Sequence, residues 1–149
     1  SLDLLGRKVL GNSGATLKRF ARMVAALLQE EGGNEKMAEF VAPLADLGEK
    51  MSKLTTEIGA RALQDPDEAG AAAVPYLRVA GHLVFGYFFA RMAAVALKKI
   101  AAGSTDPFYT AKLQTARFYF ARLFPETATL VRAARAGSAA LMDTDAALA

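Results

Sequence analysis

The chain has no cysteine. That excludes disulfides, thiolate metal sites and cysteine nucleophiles, and it suits a cytoplasmic setting. Histidine occurs once, as His82. Helix bundles that hold metals through Glu-x-x-His pairs need such pairs on facing helices, and no glutamate stands three residues before His82. A lone histidine on an apolar helix reads as a hydrogen-bonded core residue. Serines are scarce, so a Ser-His-Asp triad has no local support. The phosphate-cradling patterns GxGxxG and GxxxxGK[ST] are absent. No catalytic, cofactor-binding or metal-ligating residue is therefore assigned from motifs.

Charge of one sign is also lacking. Eighteen basic residues face fifteen acidic ones, for a net charge of +3 and a pI near 9.3. Basic and acidic residues interleave, which argues against a nucleic-acid partner. No basic segment followed by an apolar run opens the sequence, so no secretory signal is read. The most apolar stretch, Val79 to Ala90, is bounded by Arg78 and Arg91 and falls short of the roughly 20 residues that a membrane span needs. It reads as a buried helix, with no membrane span.

What is present is helical periodicity. The 149 residues, 53% hydrophobic and 22% charged, suit one domain with a full core. Leu2, Leu5 and Val9 mark a short first helix, broken by "GNSG". Leu17, Phe20, Val24, Leu27 and Leu28 mark a second, ended by "EGGN", where Asn34 can cap its successor. The third carries the stripe Met37, Phe40, Val41, Leu44, Leu47, Met51, Leu54 and Ile58, with Pro43 as a point of kinking or restart. "QDPDE" stops it: Asp65 caps and Pro66 starts a fourth helix, which runs to about Ala102 with a kink expected at Pro75. This fourth helix is apolar on nearly all sides and should be the central, most buried one. Asp106 and Pro107 begin a fifth that ends near Phe124. Pro125 opens a sixth, reaching about Ala136 before Gly137. No alternating run supports a strand. The expected fold is all-α, an antiparallel helical bundle of about five or six helices.

The fifth helix holds the densest chemistry, "KLQTARFYFARLFP". Tyr109, Leu113, Ala116, Phe120 and Leu123 make one apolar seam. Phe108, Lys112, Thr115, Tyr119 and Arg122 make a second, amphipathic face. One reading is a core seam with an ordinary rim. The other is a contact with another subunit or domain, where aromatic residues and arginine are enriched. Lys112, Arg117 and Tyr119 are the candidate interface residues.

These phrases resemble a known family. "KLQTARFYFARLFPE", continued by "LVRAARAGSAALM" and preceded by "YLRVAGHLVFGYFFARMAAVA", is similar to the last helical region of bacterial acyl-CoA dehydrogenases of the long type, which carry an added C-terminal helical domain. "SLDLLGRKVL" resembles the segment that follows their Tyr-Glu-Gly-Thr motif, whose glutamate is the usual catalytic base; no YEGT occurs in this chain. The resemblance implies that residues 1–149 form a single helical domain, the C-terminal part of a larger flavoenzyme of the fatty-acid oxidation type. It implies FAD, an acyl-CoA substrate, an electron-transfer acceptor and homo-oligomerisation for the full-length enzyme. For this fragment it implies no bound cofactor, no catalytic glutamate and no activity, leaving a packing and assembly role. The alternative is a free-standing helical protein that homodimerises through its aromatic face.

Overall fold

The computed structural model describes residues 13–137, with side chains from residue 18 onward. The expected first helix and the tail beyond Gly137 lie outside these residues. Five α-helices follow in order: α1 (Ser13–Glu31), α2 (Ala38–Gln64), α3 (Pro66–Ala101), α4 (Pro107–Phe118) and α5 (Glu126–Ala136). A 3₁₀ turn precedes α2, and a π turn at Tyr119–Leu123 follows α4. There is no strand among the described residues.

The helix starts follow from local chemistry. Asn34 accepts from the Lys36 amide, Asp65 from Asp67 and Asp106 from Phe108, each at 3.0–3.1 Å. Each such bond satisfies an amide that has no partner inside the helix. Proline at the first position of α3 and α4 withholds only a donor that would be idle there. The stops at Gly103 and Gly137 use positive φ, 94° and 72°, which costs glycine little. α2 and α3 each run as one helix through Pro43 and Pro75, so neither proline ends its helix.

Contacts across the bundle give its topology. One residue, Asp65, joins α2 to α3, and Thr55 meets Tyr76 across the pair, so α3 folds back along α2. The α4–α5 stretch folds back along α3, with Tyr119 against His82 and Glu126 against Arg78. It therefore runs parallel to α2. Arg117 pairs with Glu39 and Arg135 with Glu57, both at a separation of 78 residues. The offset is the same at both ends, so α4, the π turn and α5 keep pace with α2 as one rod. Phe118, Tyr119, Phe124 and Pro125 all hold right-handed helical torsions. Among the described residues four helical rods result, and the expectation of about five or six separate helices is slightly high because the last two are one path.

The core lies between α2, α3 and α4–α5. All eight residues of the predicted α2 stripe are buried. Phe40, Leu44, Leu47 and Leu54 are at most 2% exposed, and each such side chain contributes about 1.5–3 kcal/mol by leaving water. α3 touches every other helix and is long and apolar enough, by length and composition, to cross a bilayer. Its inner faces pack as those of a core helix. The expectation that α3 is buried nearly all round is corrected, however: Val74, Val84, Phe85, Phe88 and Val95 face outward, because no other helix among the described residues covers that side.

The π turn corrects a second detail. A regular helix through Tyr109, Leu113, Ala116 and Phe120 would bury Leu123. Instead the Phe124 amide donates to the Tyr119 carbonyl, five residues back, at 2.9 Å. The extra residue in this turn shifts the phase, leaving Leu123 50% exposed and Phe124 6%. Pro125 accounts for the loosening: it has no N–H to donate, and its ring crowds the carbonyl four residues back. Phe124→Ala should therefore cost about 3–5 kcal/mol and Leu123→Ala no more than about 0.5 kcal/mol, measured by urea unfolding. Equal losses would rule out the π phase.

Candidate functional site

Four side chains that no single local pattern connects, Arg78, His82, Tyr119 and Glu126, form one polar cluster. Arg78 and His82 stand one turn apart on α3 and so share a face. Tyr119 opens the π turn, and Glu126 opens α5, where a carboxylate suits the positive end of the helix. The bundle brings them together. His82 Nδ1 lies 2.8 Å from the Tyr119 hydroxyl and Nε2 lies 2.8 Å from a Glu126 carboxylate oxygen. Tyr119 also donates to the His82 carbonyl at 3.1 Å. Arg78 donates to the other Glu126 oxygen.

The electrostatics follow from these contacts. The His82 hydrogen bond, aided by the Arg78 charge, holds the Glu126 carboxyl below its ordinary value of 4.5. An ionised carboxylate only accepts, so Nε2 of His82 carries the proton that it donates to Glu126. Burial, with the nearby Glu126 charge, pushes the Tyr119 phenol upward, so its O–H is retained as a donor. In the neutral ring Nδ1 accepts from Tyr119; in the imidazolium Nδ1 donates and Tyr119 turns its proton wholly to the His82 carbonyl. Every polar atom has a partner in either state.

Aromatic rings seal the cluster. Tyr119 stacks on Phe89 at 4.5 Å between centroids and meets Phe120 and Phe124 edge-on. Such pairs add about 0.5–1.5 kcal/mol beyond burial. Both nitrogens of His82 are thus committed within the chain. The expected hydrogen-bonded core histidine is what the structure holds, and the cluster braces α3 to α4–α5 across the π turn.

The sequence-predicted interface residues separate. Arg117 is exposed on the α2 side, bound to Glu39 at 2.7 Å. Lys112 lies on the α3 side, its ammonium 5.2 Å from the Phe108 ring centroid. Tyr119 points inward and is 4% exposed. Spacing alone placed it on the amphipathic face, but the polar tip that suits it to a wet rim is engaged by His82. It can reach an outside contact only through the turn it holds.

Among the described residues no group of three or more His, Asp or Glu side chains is placed to hold a metal. An apolar space of about 340 Å³ between α1, α2 and α3 is lined by Phe20, Val24, Met51, Thr55, Tyr76 and Leu83, together with Lys18. A dinucleotide flavin carries a pyrophosphate and a polar ring system. One lysine and a few hydroxyls do not answer those groups, so this cavity does not fit FAD.

A family model described as "Acetyl-CoA dehydrogenase C-terminal like" matches residues 16–145. The chain is also similar to 3-methylmercaptopropionyl-CoA dehydrogenase of Ruegeria pomeroyi, at 35% identity over 125 residues. That alignment covers 83% of this chain and 21% of the relative, so the chain spans about a fifth of that protein's length.

The cluster has a pH signature. Glu126 has its folded-state pKa depressed, so its contribution is complete above the ordinary value of 4.5 and is lost as pH falls through the lower folded value. Acid unfolding of the wild type should therefore steepen below pH 4.5, and Glu126→Gln should flatten that segment while lowering stability at neutral pH. Chemical denaturation across pH measures both, and an unchanged acid limb in the variant would show that Glu126 is not coupled to the fold.

Proposed function

Because the chain belongs to the acetyl-CoA dehydrogenase C-terminal-like family, we propose that it works as the C-terminal helical domain of an FAD-dependent acyl-CoA dehydrogenase. The supporting observation is the family match over residues 16–145. The whole enzyme would carry out α,β-dehydrogenation of an acyl-CoA thioester in the cytoplasm and pass electrons to a separate acceptor. Its flavin and catalytic base would belong to other parts of the polypeptide. The similarity to the Ruegeria pomeroyi protein makes 3-methylmercaptopropionyl-CoA a substrate to assay beside straight-chain thioesters.

The domain's own role is packing and assembly. Its polar cluster is spent on joining helices, and its exposed ion pairs Glu39–Arg117 and Glu57–Arg135 link two rods already in register. Lys112 and Arg117 remain the residues for contact with the rest of the enzyme or a second subunit, with Tyr119 holding the turn beneath them. The longer protein containing this chain should be yellow and should reduce an artificial electron acceptor in the presence of acyl-CoA. A colourless, inactive product from flavin-supplemented expression would refute the assignment. In that protein Arg117→Glu should impair assembly by light scattering. The double variant Glu39→Arg/Arg117→Glu re-forms the internal pair. If assembly is restored there, Arg117 acts inside the domain; if assembly stays impaired, Arg117 meets a partner.

A further inference from the structure

α3 presents an apolar stripe that nothing among the described residues covers. Val74, Phe85, Phe88 and Val95 are 52–59% exposed, and Val84 is 37% exposed. Partly exposed Leu77 and Met92 and the bare Gly81 complete the row. At three- and four-residue steps these side chains fall on one face of a regular helix. The five exposed side chains present on the order of 400–500 Å² of apolar surface, a patch size that in monomers marks an interaction site. It is about half of the roughly 800 Å² per partner of a standard interface.

The spacing of the row identifies its occupant. Reflected about the point between Val84 and Phe85, Val74 exchanges with Val95, Leu77 with Met92, and Gly81 with Phe88. An antiparallel second copy of α3 would therefore meet apolar side chains along the whole row. Opposite each Phe88 ring it would find Gly81, where a built Cβ meets nothing within 4 Å. A large ring facing an empty position is the complementarity that a twofold contact requires, since the same patch serves both sides.

Charge agrees. Asp67 lies on the same face near the N-terminus of α3, and Lys99 lies on it near the C-terminus. Antiparallel pairing brings each Lys99 within about one helical turn of the partner's acidic end, a distance that a lysine side chain spans. Arg78 and Arg91 fall on opposite edges of the stripe, so the twofold does not juxtapose them. A uniformly anionic lipid surface would leave Asp67 facing like charge, whereas a second copy gives it a cation.

We propose that two copies of this chain associate through antiparallel α3 helices, with the twofold axis passing between Val84 and Phe85. The absence of cysteine makes single-cysteine probes clean. Val84→Cys, close to the axis, should form disulfide-linked dimers on mild oxidation. Val74→Cys should not link to itself but should link to Val95→Cys in a mixture. In the longer protein the same cross-links should form; their absence there would overturn the pairing and give the stripe to the rest of the polypeptide. Phe88→Asp, on an exposed position with circular dichroism confirming the fold, should weaken association at least about tenfold by sedimentation equilibrium. A wild-type chain that stays monomeric at high micromolar concentration would overturn the proposal, including one that instead floats with anionic vesicles. So would cross-linking of Val74→Cys to itself as readily as Val84→Cys.

Discussion

Three helices of this bundle converge on Gly86, and the missing side chain there makes the convergence possible. A Cβ at that position would stand 3.1 Å from Leu44 of α2 and 3.2 Å from Phe124 beyond the π turn. Both are close to the limit of ordinary carbon contacts, so the neighbouring side chains would have to yield. The glycine lets α3 sit tightly against α2 and against the last rod. Leu44 is then fully buried, Phe124 nearly so, and the Phe120 ring meets Phe40 edge-on at 5.6 Å. The register of the three rods follows from this contact point more than from the exposed ion pairs, which are individually worth about 0–1 kcal/mol.

The His82 cluster extends that constraint by one turn. His82 precedes Gly86 by four residues and lies on the same side of α3, so its imidazole looks toward the same rod. Tyr119 is also where the π turn begins. The two features depend on each other. The turn changes the phase of the last rod so that Phe124 reaches Gly86, and the Tyr119 hydroxyl, anchored to both the ring and the carbonyl of His82, keeps Tyr119 on the α3 side while the phase changes. A regular helix here would have offered Leu123 to the core, a smaller side chain at a different angle. The π turn is thus a packing device that Pro125 makes available by withholding its N–H.

Much of this was legible from residue order, because its causes are local. The caps at Asn34, Asp65 and Asp106 are short polar side chains next to the helices they start, and the α2 stripe is a single uninterrupted period. The all-α class and the membership of the acyl-CoA dehydrogenase C-terminal family were legible in the same way, one from periodicity and the other from "KLQTARFYFARLFPE" and its neighbours. The rest depended on neighbours distant in sequence. Nothing near His82 announces Glu126, which is 44 residues away. The phase slip at Leu123 depends on one proline and on what Phe124 can reach across the bundle. The outward stripe of α3 was hidden by its composition: a helix apolar all round reads as buried all round, and only the number of surrounding helices shows that one side is left open.

That open side and the committed polar groups together define what the domain can do. A general acid or base must come within hydrogen-bond reach of the proton it moves on a substrate. Here the ring nitrogens of His82, the Tyr119 hydroxyl and both Glu126 oxygens already have partners, and changing the protonation of His82 only reassigns the same bonds. The chain invests its polar chemistry in holding three rods at fixed phase, and a fixed phase is what a rigid apolar stripe requires. Val84, Phe85 and Phe88 keep their spacing because Gly86 and Tyr87, on the opposite side of the same turns, are held by Leu44, Phe124 and the edge-on ring of Phe20. The interior brace and the exterior stripe are therefore two sides of one helix, and the rigidity supplied on the first side makes the second a surface of defined shape.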